Sequence, residues 1–361
     1  VKIAFDCRYV RTDHHDGISR FSARLVEQLA PLASARGDQV IMLISDLKQL
    51  TMLPELPYEL ISSPTSIREP RVAHQINKFG PDIVFSPMQT IGSRGRKYKL
   101  VLTVHDLIYY SHPTPPRQFA WPLRLLWRLY HLSWLPQKML LAKSDAIVAV
   151  SATTKSLILK SKLATKPVYV VHNAADQPVK NPVVVPADQR SRSVVYMGSF
   201  MPYKNVETLV RAIAALPDFT LHLLSRISDV DRKRLSGINP QAQIHFHNGT
   251  TDEDYFDLLT HATALVSASR DEGFGIPLVE SMSLGTPIVV SDIPIFHEIG
   301  GDAALFASPD QPEEFAEAIE SLTNPQKWQQ VSNLSRTQAQ KFSWKKSAQD
   351  LLDVLVKVAG S

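Results

Sequence analysis

The sequence holds one cysteine, Cys7, in 361 residues. A lone thiol can neither close an intramolecular disulfide nor assemble a thiolate zinc or iron–sulfur site, so the chain reads as a protein of a reducing compartment. No uncharged apolar stretch approaches the roughly 18 residues that a membrane-spanning helix needs. The run Val1–Phe5 reads directly as a strand, with no basic region and apolar segment of a secretory signal ahead of it, which predicts a cytosolic location. Glycine is sparse, at 14 residues. The turn after the first strand has only Gly17 where a dinucleotide fingerprint needs three glycines for the close approach of a pyrophosphate, which disfavours an NAD or FAD site of that type.

What is present is a globular balance, 44% hydrophobic and 20% charged, too apolar for a disordered chain. At roughly 150 residues per domain the length implies about two domains. The net charge of +4 suits an anionic small molecule, an anionic membrane surface or nucleic acid, so the placement of the charge decides between them.

Short β-branched runs alternate with longer amphipathic segments, the pattern of parallel α/β layers. Strands are predicted at Val1–Phe5, Val40–Ser45, Asp82–Ser86, Leu100–His105, Ala146–Val150 and Val168–His172. A second set is predicted at Val194–Gly198, Thr220–Leu224, Gln243–His247, Ala264–Ala268, Pro287–Ser291 and Ala304–Ala307. Between the sets, Ala174–Ser193 carries Pro178, Pro182 and Pro186 and has the composition of an extended connector. Phe342–Val358 reads as a helix capped by Ser343, with Leu351, Leu352 and Leu355 on one face.

In open α/β sheets ligands bind at the carboxyl ends of the strands, and the chemistry-bearing residues fall there. The first strand feeds Asp6–Cys7–Arg8 and a polar loop to Gly17–Ile18–Ser19–Arg20, where a helix starts; its N-terminus suits a phosphate or sugar hydroxyls, and an ordinary strand-to-helix turn explains it equally well. The fourth strand ends at His105–Asp106, although a histidine at a strand end is more often structural than catalytic. In the second half, Gly198–Ser199 and Met201–Asn205 lead into a helix for which Asn205 is the expected N-cap, placing Lys204 where an ammonium and a helix dipole together attract phosphate. A solvated surface lysine is the bland alternative.

The most specific segment is Glu272–Gly273–Phe274–Gly275–Ile276–Pro277–Leu278–Val279–Glu280. Gly273 and Gly275 permit a tight loop with exposed N–H groups, and Pro277 suits a first helical turn. Two carboxylates eight positions apart across an anion-binding turn suggest hydroxyl recognition on either side of a diphosphate, hence a sugar nucleotide. Glu280 near a helix start also serves the dipole.

These residues, with Thr103–Ile108, the Gly17–Arg20 turn and the Phe342–Lys346 ending, resemble the retaining glycosyltransferases of family four over essentially the whole chain. The resemblance implies the GT-B fold, an α/β architecture of two Rossmann-like domains facing across a cleft. It places an acceptor-binding domain at residues 1–175, a nucleotide-sugar-binding domain at 190–341, and a terminal helix at 342–361 packing back toward the first. It further implies that Glu272, with the backbone of Gly273, Phe274 and Gly275, holds the transferred sugar, that Glu280 binds the ribose, that Lys204 binds the diphosphate, and that His105 contacts the sugar near the reacting carbon. Gly17, Ser199, Ile276 and Leu278 complete the expected donor site. A second diphosphate cation common in the family is missing, and Arg226 or Arg270 is the candidate substitute.

A positive charge beside the leaving diphosphate fits a transition state of oxocarbenium character. The two Asp-x-Asp strings, Asp229–Asp231 and Asp252–Asp254, fall at predicted helix starts, so no metal is expected and no cofactor beyond the nucleotide-sugar substrate. Mannose from GDP-mannose is the expected donor, by likeness to mannosyltransferase-like members. A sugar-nucleotide epimerase and a non-catalytic nucleotide-sugar-binding protein are the alternatives.

No acidic residue lies between Ser111 and Ser144, where Arg117, Arg124, Arg128, Lys138 and Lys143 interleave with Phe119, Trp121, Trp127, Tyr130 and Trp134. This is the composition of an interfacial helix, and it predicts peripheral association with an anionic membrane at the cytoplasmic face and a glycan or lipid-linked acceptor. Arg8, Arg20, Arg117, Trp121, Arg124, Trp127 and Arg128 are the expected acceptor or membrane contacts. The alternative is that Leu125, Leu126, Leu129 and Leu132 pack on the sheet while the arginines cover the outside; Pro122 and Pro136, read as interrupting the helix, weigh for the membrane reading. Nothing resembles a nucleic-acid-binding module, so no nucleic-acid partner is expected.

Overall fold

The computed structural model describes residues 1–115, 120–176 and 185–361. Arg117, Phe119, Pro178 and Pro182 lie outside the described residues. The chain divides into two compact units, Val1–Ala174 together with Ser343–Ser361, and Ala175–Phe342.

The first unit is built on β1 (Lys2–Asp6), β2 (Gln39–Ile44), β3 (Tyr58–Leu60), β4 (Ile83–Ser86), β5 (Lys99–Val104), β6 (Ala146–Ala149) and β7 (Val168–Val170). They form one sheet in the order β3-β2-β1-β4-β5-β6-β7, every pairing parallel. Central strands buried on both faces explain the unbroken apolar runs: Ile83, Val84 and Phe85 are all fully buried. The edge strand β3 has no such signature, since Tyr58 and Leu60 are exposed. The Gly17–Ala35 helix connects β1 to β2, its N-cap Asp16 accepting from the Ser19 N–H at 2.9 Å. The terminal helix, Trp344–Ala359, is capped by Ser343, which accepts from Lys346 N–H at 3.3 Å. It buries Leu351, Leu352 and Leu355 and sets Trp344 edge-on to Phe21 at 6.1 Å.

The second unit is built on β8 (Ser191–Tyr196), β9 (Thr220–Leu223), β10 (Gln243–Phe246), β11 (Ala262–Ser267), β12 (Ile288–Ser291) and β13 (Ala304–Ala307). Their order is β10-β9-β8-β11-β12-β13, again all parallel. Ser191–Ser193, expected in the connector, instead belong to β8, because Ser191 pairs with Ala262 and Ser193 with Thr220. Each sheet reverses its order once, at β1/β4 and at β8/β11, and such switch points are where open α/β sheets leave a crevice at their carboxyl edge.

Pro122 and Pro136 do not interrupt a helix. Each sits in the first turn of its own, Trp121–His131 and Leu135–Leu141, where a missing N–H costs nothing. The leucines do not pack on the sheet either: Leu125, Leu126, Leu129 and Leu132 are 49%, 62%, 56% and 77% exposed.

Candidate active site

The β8/β11 switch point brings together two loops that the sequence separates by about seventy positions. After β8, Gly198 passes so close to Tyr196 that a Cβ there would lie 2.7 Å from its hydroxyl oxygen, so any side chain at this position would have to push the phenol aside. That hydroxyl donates to Ser199 O at 2.6 Å, and burial raises the phenol's pKa well above its ordinary value. Gly198 N–H donates to Ser225 Oγ at 3.2 Å. A single turn, Pro202–Lys204, follows.

Asn205 sits at the N-cap position but does not cap. Its backbone is left-handed, at φ +53°, a conformation that asparagine tolerates better than most residues. Its side chain instead donates to Pro309 O at 2.5 Å and accepts from Thr208 Oγ1 at 3.1 Å. The turn is thereby pinned to the loop after β13, and Lys204 projects from it.

After β11, Ser269–Glu272 returns toward that turn, with Arg270 N–H donating to Tyr203 O at 2.8 Å. Lys204 Nζ forms an ion pair with Glu272 Oε1, the two side chains only 13% and 17% exposed. Ser269 Oγ donates to the same carboxylate oxygen at 3.4 Å. Gly275 is left-handed at φ +94° and opens the Ile276–Ser283 helix, with Pro277 in its first turn. Ile276 is partly exposed; Phe274 and Leu278, donor-site candidates, are each 3% exposed, so their side chains pack inside. Phe274 meets Phe342 edge-on at 5.6 Å. Glu280 is 2% exposed and accepts from Tyr255 OH at 2.8 Å. Tyr255 gave no sequence signal, since it sits on another helix, Asp252–His261.

Of the substitute cations, Arg270 is ion-paired with Asp310, while exposed Arg226 lies over Gly249. The Asp-x-Asp strings begin the Asp229–Ser236 and Asp252–His261 helices, capped by Ser228 and Thr251, where acids favour the dipole.

In the first unit, His105 follows β5, and its Nε2 is 2.7 Å from Pro87 O. A carbonyl oxygen can only accept, so the ring nitrogen facing it donates: Nε2 carries the proton and, in the neutral ring, Nδ1 is the acceptor nitrogen. Burial lowers the pKa of this imidazole, opposed by the Pro87 bond and by Asp106. Phe21 meets its ring edge-on at 5.1 Å. His105, Asp106, Thr103 and Ile18 line a cavity of about 250 Å³.

Gly17 is exposed, and a Cβ there would meet nothing within 4 Å. Asp16 already caps this helix, so its N-terminus suits hydroxyls better than another anion. Arg8 is not a surface contact. Its side chain is 0% exposed, with Nε 2.8 Å from Asp6 Oδ1 and an Nη 2.6 Å from Glu69 Oε2. Arg20 is partly exposed one residue past Ser19, Trp121 and Arg128 are exposed, and Arg124 and Trp127 are half-buried.

Two family models match the two halves of the chain: Glycosyltransferase Family 4 over residues 15–177 and Glycosyl transferases group 1 over residues 180–340. The chain is 26% identical over 234 residues to the O-antigen chain mannosyltransferase RfbU of Salmonella typhimurium, covering 61% of this chain and 60% of that protein. It is 26% identical over 268 residues to the O-antigen chain mannosyltransferase B of Escherichia coli, covering 69% and 68%. Among solved structures, the sucrose-phosphate synthase of Thermosynechococcus elongatus superposes with a TM-score of 0.73 at 19% identity, covering 100% of both chains. Anabaena HepE in complex with UDP-glucose superposes at 0.71 and 15% identity, covering 99% of both. With two parallel Rossmann-like sheets of the GT-B class and both halves matched, the chain belongs to the family-four glycosyltransferases.

Proposed function

We propose that the chain transfers a mannosyl unit from GDP-mannose to a glycan or lipid-linked acceptor, with retention of configuration and without a metal. The observation that carries this reading is the meeting of Lys204 and Glu272 at the β8/β11 switch point, in a chain whose relatives are named O-antigen mannosyltransferases. Lys204 projects from a turn held by Asn205, so its ammonium exchanges Glu272 for the donor diphosphate and stabilises the charge that builds on the leaving group. The carboxylate released is then an acceptor for hydroxyls of the transferred sugar, beside the backbone of Gly273, Phe274 and Gly275. Glu280, oriented by Tyr255, takes the ribose. The neutral imidazole of His105 contacts the sugar near the reacting carbon without adding a cation there.

The leaving phosphate assists a same-face displacement, and no side chain is assigned as a covalent nucleophile. The exposed leucines of the Trp121–His131 helix and its flanking arginines support peripheral association with an anionic membrane. Calorimetry with GDP, UDP, ADP and dTDP, with magnesium and with a chelator, tests the donor reading. GDP binding unchanged by the chelator is expected; binding of another nucleotide alone, or binding that requires magnesium, contradicts it.

A further inference from the structure

We infer that Arg226 reads the nucleobase of the donor, its guanidinium donating in a fork to O6 and N7 of guanine. This rests on the GDP-mannose reading above and names the residue that selects the base.

Of the cations expected to meet the donor, Lys204 pairs with Glu272 and Arg270 with Asp310. Arg226 is exposed, and among the described residues its guanidinium has no hydrogen-bond or ion-pair partner. The turn that carries it is nevertheless fixed from both sides. Ser225 Oγ accepts from Gly198 N–H at 3.2 Å. Opposite, Gly249 N–H donates to Leu224 O at 2.8 Å, and Ile227 N–H donates to Asn248 Oδ1 at 3.1 Å. Gly249 has a φ of +106°, and a Cβ on it would lie 3.3 Å from Arg226 Cγ and 3.6 Å from Nε. The glycine therefore both makes this turn and leaves room for the arginine stem. A fixed stem with a spare head group suits binding, because less ordering entropy is lost when the ligand arrives.

The sheet order places this arginine on the nucleoside side of the site. In the order β10-β9-β8-β11, Lys204 and Glu272 follow β8 and β11, whereas Arg226 follows β9 and lies over the turn after β10. At about 4.8 Å per strand that turn is about 10 Å from β8, the reach of a nucleoside from its phosphates. The ribose falls between them, since Tyr255, which holds Glu280, stands one turn inside the Asp252–His261 helix that the same loop opens. The base is then the part of the donor that meets Arg226.

A guanidinium carries donors only, in a rigid planar fork. Guanine presents two adjacent acceptors, O6 and N7, and satisfies both arms. Adenine sets an N6 donor beside N7, and uracil has the single acceptor O4 on the corresponding edge. The fork therefore selects guanine.

Calorimetry on the full chain tests this with GDP, inosine diphosphate, 7-deaza-GDP and UDP. Inosine diphosphate keeps O6 and N7 and is expected to bind like GDP; 7-deaza-GDP lacks N7 and is expected to bind about tenfold more weakly. In Arg226→Ala, GDP binding is expected to fall about tenfold or more, and the difference between GDP and 7-deaza-GDP to vanish. Arg226→Lys, which keeps the charge without the fork, is expected to restore little of either. A preference for GDP over 7-deaza-GDP that persists in Arg226→Ala overturns the assignment. So does an equal loss for GDP and UDP, the signature of a diphosphate contact. If the wild type binds GDP, such results overturn the base reader alone. If it binds none of the four, or UDP in preference to GDP, the donor reading falls as well.

Discussion

Tyr255 donates its hydroxyl to Glu280 Oε2 across 2.8 Å in the interior of the C-terminal unit, which fixes the rotamer of a carboxylate 25 positions away. On the function proposed above, that carboxylate is held ready for the ribose of the donor. Tyr255→Phe is therefore expected to weaken GDP binding several-fold, and Glu280→Ala more strongly, in calorimetric titrations. The tyrosine variant should also lose about 1–3 kcal/mol of stability, because it leaves a buried carboxylate short of a donor. Unchanged nucleotide affinity in both variants would show that this pair only holds the fold together.

Lys204 and Glu272 predict a different signature. Removing the ammonium in Lys204→Ala takes away charge stabilisation that matters most as the diphosphate departs, so kcat should fall by about 10²–10³, with a smaller change in donor affinity. Lys204→Arg should recover part of the rate. Steady-state kinetics with GDP-mannose checks both, and a variant that lost binding but kept kcat would place the lysine in ground-state recognition alone.

Arg8 yields a stability prediction where the sequence suggested a surface role. With its side chain and that of Asp6 both 0% exposed, Arg8→Ala strands a buried carboxylate and should cost about 3–5 kcal/mol in urea unfolding. Vesicle binding of the folded variant should match the wild type. A loss under about 1 kcal/mol would mean that the Asp6–Arg8–Glu69 network is less isolated from water than its burial implies.

Three histidines meet on β9 and at the end of β10. His222 Nδ1 lies 2.9 Å from His247 Nε2, and the rings of His245 and His247 are 4.4 Å apart. Burial first, then the neighbouring His247 and His245, lowers His222 to about 4, and burial also lowers His247, with Asp254 opposing. A lowered histidine pKa means that the unfolded chain binds the proton more readily. Its contribution to stability is complete above about pH 6.5 and is lost as pH falls toward 4. Thermal unfolding from pH 7 to 4.5 should show a falling midpoint for the wild type and a shallower fall for His222→Asn; parallel curves would remove the cluster from the acid response.

Local signals carried much of this molecule in its sequence. The central strands announce themselves because both faces are buried, Ser343 caps its helix through a neighbour three positions on, and the glycine loop between Glu272 and Glu280 is a contiguous motif. Relationships across the fold were not legible. Arg8 looked like a loop cation because its second partner, Glu69, is 61 positions distant. Asn205 has the right identity and position for a cap, but its contact with Pro309, 104 positions away, decides its conformation. The alternation in His245-x-His247 was a usable signal, completed by the register of His245 opposite His222. The leucines of Trp121–His131 read equally well as core, since periodicity states that a face is apolar and not what covers it.

Transfer of mannose from GDP-mannose with retention is read out by NMR of the wild-type protein incubated with GDP-mannose and a methyl glycoside acceptor in the presence of a chelator. An α-linked mannoside appearing with GDP is expected, formed about 10²–10³-fold more slowly by Lys204→Ala. A β-linked product, an altered sugar nucleotide formed without the glycoside, or no GDP release from any donor would contradict it.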